Sequence, residues 1–224
     1  MLGRDQAYIG VLIDDLVTKG TEEPYRMMTA RAEYRLILRQ DNADLRLSEL
    51  GAAWGLLPSE RLAAFRQKRA LLEQELERLR TTTVQADDAS AQVMEAAGST
   101  PLKTATRLSE LLQRPQLDYQ TLAPLDPERP EDLPTAVWQE AEIMLKYEGY
   151  IRLEEERMAK FRQQESQPLP PQLDYGSIAG LRTEAQQKLD QLQPQSVGQA
   201  ARISGVSPAD IAVLLVYLEA QRRQ

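Results

Sequence analysis

The sequence contains 224 residues with a formal net charge of -7, and it has neither cysteine nor histidine. This excludes thiol nucleophiles, imidazole bases and Cys/His metal sites, so we expect no catalytic and no metal-binding residue in the chain. The acidic balance argues against a protein that coats nucleic acid or membranes non-specifically. The N-terminal residues include carboxylates where a signal peptide has an apolar core, and no apolar run reaches the length of a membrane span, so we expect a cytoplasmic protein.

The composition predicts an all-α fold. Ala, Leu, Gln, Glu and Arg dominate, aromatic residues make up 5%, and the alternating patterns of strands are scarce. The first helix is predicted over residues 4–17, with Asp14 and Asp15 turned away from its apolar face, and Gly20 is a candidate C-cap. The apolar face consists of Ile9, Leu12, Ile13 and Leu16.

Residues 24–46 concentrate positive charge in a chain that is acidic overall. The arginines are Arg26, Arg31, Arg35, Arg39 and Arg46. Three readings stay open: a solvated helix face, ion pairs with the nearby Glu33, Asp41 and Asp44, or contacts with the phosphates of a polyanion such as RNA. The stretch YRLILR fits a helix but also alternates like a short strand or hairpin near residues 25–40.

The acidic and aromatic side chains near this segment have simple structural readings. Asp14 and Asp15 are adjacent, so on a helix they point about 100° apart and do not form a general acid/base pair. A solvated or ion-paired helix face is the default for them. Tyr8, Tyr25 and Tyr34 are candidates for stacking on a base or a flavin, although semi-buried tyrosines are commoner.

The clearest amphipathic helix is predicted over residues 59–80. A weaker helix follows at 88–97 and a short one near 104–113. A long helix is predicted over 135–164, with a buried middle and Gly149 as a close-contact point or kink. Shorter helices are predicted at 183–192, 196–203 and 207–221, the last with Ser207 as N-cap, Pro208 in its first turn and Asp210 near its positive end.

Residues 114–134 hold five prolines and little apolar periodicity, which is typical of a loop or linker. We expect three parts: residues 1–50, a helical domain over 51–166, and a small helical subdomain over 167–224. The last part contains a helix, a glycine-containing turn and a helix, in outline a helix-turn-helix. Its second helix begins with PADIAVLL, which is apolar and acidic, so it favours a protein-docking face over DNA recognition.

Four stretches carry a resemblance to a known family. They are residues 7–51 (AYIGVLIDDLVTKG through DNADLRLSELG), 146–151 (KYEGYI), 173–189 (LDYGSIAGLRTEAQQKL) and 198–218 (GQAARISGVSPADIAVLLVYL). Together they resemble the C-terminal portion of the MnmG (GidA) family of tRNA uridine 5-carboxymethylaminomethyl modification proteins. The family's dinucleotide-binding GxGxxG, its nicotinamide-binding insertion and its cysteines do not occur here. Met28 and Ala30 replace the family's usual Phe and Ser beside an intact RAEYRL.

The resemblance implies an enzyme that, with the GTPase MnmE, installs an aminomethyl-type group at carbon 5 of the tRNA wobble uridine. It implies FAD and NADH as cofactors, a methylene-tetrahydrofolate carbon donor, and a homodimer. We expect this chain to be the C-terminal portion, without a cofactor of its own and inactive alone. We expect it to position tRNA and dock the GTPase, with no membrane or DNA partner.

Carried onto this sequence, the resemblance makes Arg31, Arg35 and Arg39 candidates for tRNA contact, and the excess positive charge of the segment adds Arg26. Candidates for partner docking are Gln199, Arg202, Ile203 and Leu215. The competing hypothesis is a free-standing helical adaptor without a nucleic-acid role. An independent carboxylate enzyme is a third reading, which predicts activity without flavin.

Overall fold

A computed structural model describes residues 2–18, 20, 24–26, 28–165 and 167–222. The described residues are mostly helical, which confirms the predicted fold class. The α-helices are α1 (Tyr8–Thr18), α2 (Ala43–Ala53), α3 (Ser59–Thr81), α4 (Asp88–Ala96), α5 (Leu108–Leu112), α6 (Thr135–Glu165), α7 (Thr183–Leu192), α8 (Val197–Arg202) and α9 (Pro208–Arg222). None of the helices in the described ranges has the length and apolar content needed to cross a bilayer.

Two short strands form the one ladder found in the described part of the chain. β1 (Thr83–Val84) pairs antiparallel with β2 (Thr106–Arg107), and Thr83 lies opposite Arg107. The strand or hairpin considered near residues 25–40 is not formed by the described residues of that range. A 3-10 turn at Thr29–Arg31 and a turn at residues 35–37 occupy it.

The chain divides into two compact units. The continuous unit is Arg39–Arg152, and the discontinuous unit combines Met1–Leu38 with Leu153–Gln224. The division falls inside α6 and just after Leu38, which differs from the predicted boundaries at 50/51 and 166/167. The three-part organisation of residues 1–50, 51–166 and 167–224 therefore stays a prediction, and the compact units are described separately below.

The core of the continuous unit lies among α3, α4, α5 and the first half of α6. Its fully buried side chains include Leu79, Met94, Leu111 and Leu145. Residues 114–134 contribute to this core although they carry five prolines: Leu117, Tyr119 and Leu122 are buried in it. This segment is therefore a packed loop and not a linker.

An internal ion cluster fixes the same loop to α3. Arg78 contacts Asp126 at 2.7 Å and Glu75 at 2.7 Å, and Glu75 also accepts a hydrogen bond of 2.8 Å from the Tyr119 hydroxyl. Glu75 and Asp126 are 3% and 6% exposed. Arg78, which the helical pattern places beside a solvated face, is instead held by two buried carboxylates. The pairing satisfies charges that would otherwise be costly to bury.

The discontinuous unit has a core in its C-terminal part and a smaller one near the N-terminus. The C-terminal core packs α7, α8 and α9 around Tyr175, Leu189 and Leu214. The cap predicted for α9 is confirmed, because the backbone N–H and the hydroxyl of Ser207 both donate to Asp210 Oδ2, at 2.8 and 2.7 Å. Asp210 thus closes the first turn of α9.

The face of α1 differs from its prediction. Ala7 before the helix and Val11 and Asp15 within it are buried at a spacing of four residues, whereas Ile9 is 49% exposed. Asp15 is predicted to lie on a solvated or ion-paired face, and it is ion-paired but buried, with 3% of its surface exposed. The reason is that a buried arginine supplies its partner, which the local apolar pattern does not reveal.

The long helix α6 is confirmed, but its predicted burial is not. Ala141 and Leu145 are buried, whereas Tyr147 and Tyr150 beyond them are 43% and 64% exposed. Gly149 was expected to mark a close contact or kink. A Cβ atom at Gly149 would meet no atom within 4 Å among the described residues, so its small size is not required by packing.

Candidate functional site

The arginine-rich segment packs against α1 and α6 within the discontinuous unit. Ala32, Tyr34 and Leu38 are buried together with Val11, and Met158 of α6 packs on this cluster. The backbone N–H of Leu36 donates to Glu154 at 3.1 Å. Burial at residues 32 and 34 with exposure at 31, 33 and 35 explains why the sequence alternates like a strand although the backbone turns.

A buried arginine organises the segment. Arg4 is 5% exposed, and its guanidinium donates to Asp15 at 2.8 Å, to Asp14 at 3.0 Å and to Glu33 at 2.6 Å. It also donates to the carbonyl oxygen of Arg31 at 3.3 Å. Burial disfavours the charge of Arg4, but hydrogen bonds with Glu33 and Asp15 outweigh it and raise the pKa of Arg4. Arg4 thus stays charged and joins three stretches of the chain.

Asp15 also contacts the side chains of Tyr25 and Arg31. Its Oδ2 accepts a hydrogen bond of 2.9 Å from the hydroxyl of Tyr25 and lies 3.9 Å from Nη1 of Arg31. The guanidinium of Arg31 lies over the ring of Tyr25, 4.4 Å from its centroid. Burial and the hydrogen bond to Asp15 raise the pKa of Tyr25. Tyr25 and Arg31 therefore form a stacked pair on a buried carboxylate.

The four candidates for tRNA contact have different surroundings. Arg26 and Arg35 are exposed and form no ion pair with another residue of the described ranges. The side chain of Arg31 is 42% exposed. Arg39 is held internally, at 2.9 Å from Asp41 and 3.0 Å from Glu140, with its side chain 15% exposed. The expectation of phosphate contact therefore does not suit Arg39, because two carboxylates neutralise it.

Arg46 is also engaged within the protein. Its side chain donates to Asn42 Oδ1 at 2.9 Å and to the carbonyl oxygen of Arg39 at 3.0 Å. The three readings of the segment thus apply to different residues. Arg39 and Arg46 bind internal acceptors, while Arg26, Arg31 and Arg35 remain open to an external anion.

Most of the four candidates for partner docking have side chains that are buried or bonded within the protein. Ile203 is 5% exposed and belongs to the C-terminal core, so it does not fit a docking face. Arg202 has a side chain 9% exposed and pairs with Asp14 at 2.7 Å. Gln199 accepts a hydrogen bond from the Gln195 backbone at 2.8 Å. Leu215 is partly buried against the core of this unit.

A cavity of about 590 Å³ lies within the discontinuous unit. Residues 2–5, one face of α1 and residues 192–196 line it, and Gln199 and Arg202 of α8 contribute to its wall. Asp14 lies in the same wall and joins Arg4 to Arg202. Three of the predicted docking residues, Gln199, Arg202 and Ile203, therefore line a cavity of their own unit.

A second charged cluster lies in the continuous unit. Glu140 of α6 is 3% exposed, shares a hydrogen bond with Asp41 and pairs with Arg39. Burial, together with the hydrogen bond to Asp41 and the charge of that group, raises the pKa of Glu140 to about 7. Burial also acts on Asp41, but hydrogen bonds from Glu140 and Arg39 outweigh it and lower the pKa of Asp41. The cluster anchors residues 39–41 to α6.

Sequence reasoning missed the two residues on which the segment depends. The sequence pattern does not single out Arg4, and it places Asp15 on a solvated or ion-paired face without indicating its burial. The available signal is the spacing of Ala7, Val11 and Asp15, which places a carboxylate in line with two small apolar residues. In the described ranges no three His, Cys, Asp or Glu side chains are grouped as a metal site.

Comparison with known proteins gives consistent matches along the chain. Residues 59–155 match the family described as the tRNA modifying enzyme MnmG/GidA C-terminal helical domain, and residues 157–224 match its C-terminal helical bundle. The tRNA uridine 5-carboxymethylaminomethyl modification enzyme MnmG of Caldicellulosiruptor saccharolyticus is 55% identical over 223 residues, 100% of this chain and 36% of that protein. The Bacillus subtilis enzyme of the same name is 49% identical over 223 residues, 99% of this chain and 35% of that protein.

A solved structure agrees with these sequence matches. Aquifex aeolicus GidA, in its form II crystal, matches with a TM-score of 0.76 and 38% identity, over 97% of this chain and 33% of that one. The chain thus spans about a third of the length of the relatives it matches. On the family matches, the sequence identities and the shared fold, the chain belongs to the MnmG/GidA family of tRNA-modifying enzymes, with the family's C-terminal helical regions.

Proposed function

We propose that the chain is the tRNA-positioning and partner-docking part of an enzyme that modifies carbon 5 of the tRNA wobble uridine. The observation that carries the proposal is the open positive charge of Arg26, Arg31 and Arg35 in a chain of net charge -7. The relatives named as tRNA uridine modification enzymes align with the whole chain, and this supports tRNA as the polyanion.

The redox chemistry is assigned to the part of the longer relatives that lies outside this chain. A dinucleotide-binding fold needs parallel strands and a glycine-rich turn. The ladder found in the described residues is antiparallel and two-stranded, and the sequence has no GxGxxG. FAD and NADH therefore do not fit these residues. The proposed enzyme is cytoplasmic and homodimeric, and this chain alone is inactive.

The tRNA contact is proposed for Arg26, Arg31 and Arg35, and Arg39 is removed from the set. An arginine that binds a phosphate displaces condensed counterions, so each contact adds a salt-dependent term to the affinity. The guanidinium of Arg39 already contacts Asp41 and Glu140. A phosphate at that position would have to compete with two carboxylates.

The test is titration of the chain with a synthetic anticodon stem-loop RNA at about 50 and about 200 mM salt. For single-stranded RNA, one phosphate contact changes affinity about threefold over this range, so three contacts predict a loss of roughly 20- to 30-fold. Arg26→Ala and Arg35→Ala should each weaken binding and flatten the salt dependence. Arg107→Ala is the matched control, because Arg107 is an exposed arginine on β2.

Absence of RNA binding at the lower salt concentration would overturn the tRNA role of these arginines. Equal losses for Arg35→Ala and Arg107→Ala would also overturn it, because they would show a general charge effect. Arg39→Ala should reduce the stability of the chain more than it reduces RNA affinity, since its partners are internal. These results separate the proposed site from non-specific attraction.

We propose the outer face of α9 as the docking face for an MnmE-type GTPase. Val216 is 69% exposed on a helix whose Leu214 and Leu218 are buried. Leu215, from the predicted set, lies beside it and is partly buried. An exposed apolar side chain between exposed Ala212 and Ala220 suits a protein partner better than RNA.

Docking is tested with the purified GTPase from the same organism. Val216→Asp should reduce its capture by the immobilised chain, and Glu219→Gln serves as a control on the same helix. Capture that is unchanged in Val216→Asp would count against this face. If GTPase capture persists while RNA binding is absent, the adaptor hypothesis is favoured over tRNA positioning.

A further inference from the structure

The stacked pair of Tyr25 and Arg31 contacts Asp15, which is buried together with Arg4. Arg4 is 5% and Asp15 3% exposed, and they are joined at 2.8 Å. Asp15 uses its other oxygen for the Tyr25 hydroxyl at 2.9 Å. A surface arginine is seldom anchored in this way, because most exposed ion pairs are flexible and contribute little.

Two interactions fix Arg31 from different sides. The ring of Tyr25 lies 4.4 Å from the guanidinium carbon, and Arg4 binds the Arg31 carbonyl oxygen at 3.3 Å. The side chain of Arg31 nevertheless stays 42% exposed. Its guanidinium is therefore held in place while part of its surface remains available to a ligand.

We infer that Tyr25 and Asp15 are positioning residues that hold Arg31 ready for contact with an RNA phosphate. The inference rests on the proposed function and assigns to this site the residues that determine its geometry. An arginine whose rotamer is already restricted loses less conformational entropy when it binds. The ring of Tyr25 covers one side of the Arg31 guanidinium, and the part of the side chain that stays exposed can donate to a phosphate.

The chemistry of the anchor determines which substitution is informative. Asp15 carries a negative charge near the proposed phosphate, so Asp15→Asn would remove a repulsion as well as an anchor. Tyr25→Leu avoids this problem, because it removes the stacking ring and hydroxyl and leaves every charge in place. It is therefore the substitution on which the binding test depends.

The experiment is a double-mutant cycle on RNA affinity in the 224-residue chain. The probe is the anticodon stem-loop RNA, and the variants are Tyr25→Leu, Arg31→Ala and the double variant. We expect Tyr25→Leu to weaken binding about two- to fivefold, in the range of an ordered side chain. The double variant should bind no more weakly than Arg31→Ala. Tyr25→Leu combined with Arg35→Ala should give the product of the two separate losses, since Arg35 is not part of the stack.

A spectroscopic measurement tests Asp15 without using RNA. The chain has 8 tyrosines, and an alkaline absorbance titration compared with Tyr25→Phe isolates the ionisation of Tyr25. Asp15→Asn should lower the pKa of Tyr25, because the carboxylate both accepts its hydrogen bond and opposes its negative charge. An unchanged Tyr25 ionisation would overturn the assignment of Asp15.

The outcomes distinguish the inference from the proposed function. If Arg31→Ala weakens binding but the Tyr25→Leu loss multiplies with it, the positioning role is overturned and the tRNA contact stands. If Tyr25→Leu also removes the effect of Arg35→Ala, Tyr25 supports the whole segment and not Arg31 in particular, which overturns the inference as well. If all arginine variants bind as the parent chain does, the inference and the proposed tRNA contact are both overturned.

Discussion

Replacing Glu140 with glutamine should change how the stability of the chain depends on pH. Glu140 is 3% exposed, and burial together with Asp41 raises its pKa from 4.5 to about 7. The folded state therefore binds this proton more tightly than the unfolded state, and its stability falls as pH rises from about 4.5 to about 7. Glutamine imitates the protonated acid, because its amide can donate to Asp41 and its oxygen can accept from Arg39.

The size of the effect follows from linkage. With the folded pKa at about 7 and the unfolded pKa at 4.5, the stability contributed by Glu140 falls by roughly 2 to 3 kcal/mol between pH 5 and pH 8. Glu140→Gln should lack this loss. The free energy of unfolding of Glu140→Gln minus that of the parent chain should therefore be roughly 2 to 3 kcal/mol larger at pH 8 than at pH 5.

Urea unfolding followed by circular dichroism at pH 5 and pH 8 measures this difference. Glu148→Gln is the matched control, because Glu148 lies on the same helix with its side chain 46% exposed. A free-energy difference between Glu140→Gln and the parent chain that stays constant within about 0.5 kcal/mol would refute the reasoning. It would mean that Glu140 is already ionised at pH 5 in the folded chain.

Four further substitutions test packing and capping by the same urea measurement. Arg78→Met should destabilise by about 3 to 5 kcal/mol, since it leaves Glu75 and Asp126 buried without their cation; a loss below about 1 kcal/mol would contradict the ion cluster. Gly149→Ala should stabilise by about 0.5 to 1 kcal/mol because the added methyl meets open space, whereas Gly10→Ala should destabilise because its Cβ would collide with the carbonyl of Gly3. Asp210→Ala should cost about 1 to 2 kcal/mol, because it removes the acceptor of the Ser207 backbone N–H and hydroxyl and the ion-pair partner of Arg182, and an unchanged midpoint would show that these contacts contribute little.

Most of the helices could be predicted from the sequence, because the capping residues and the apolar face of a helix lie within a few positions of one another. Ser207, Pro208 and Asp210 are next to the turn that they close, and the apolar spacing of α3 survives in its buried Leu72, Leu76 and Leu79. The prolines of residues 114–134 predict a loop or linker but not its burial. Proline restricts the backbone conformation and does not indicate whether the neighbouring side chains are buried. Leu117 is fully buried there because α3 and α6 supply its neighbours from distant parts of the sequence.

The sequence predicts only part of the candidate site. An excess of positive charge in residues 24–46 is visible in the sequence, but its division between internal and external partners is not. Arg39 is neutralised by Glu140, which is 101 residues away, and no local rule connects them. The burial of Asp15 is not visible in the local pattern either, because its partner Arg4 lies outside the helix that contains Asp15.

The pairing of Asp14 with Arg202 spans 188 positions of the chain, and this distance has a consequence for synthesis on the ribosome. Met1–Leu38 is translated before Arg39–Arg152, and the residues that complete its unit begin only at Leu153. At about 5 to 20 residues per second, the intervening segment takes roughly 6 to 23 seconds to translate. During that interval Arg4, Asp14 and Asp15 exist without Arg202, while Arg39–Arg152 can already fold. The discontinuous unit can therefore complete its fold only after the continuous unit has been translated.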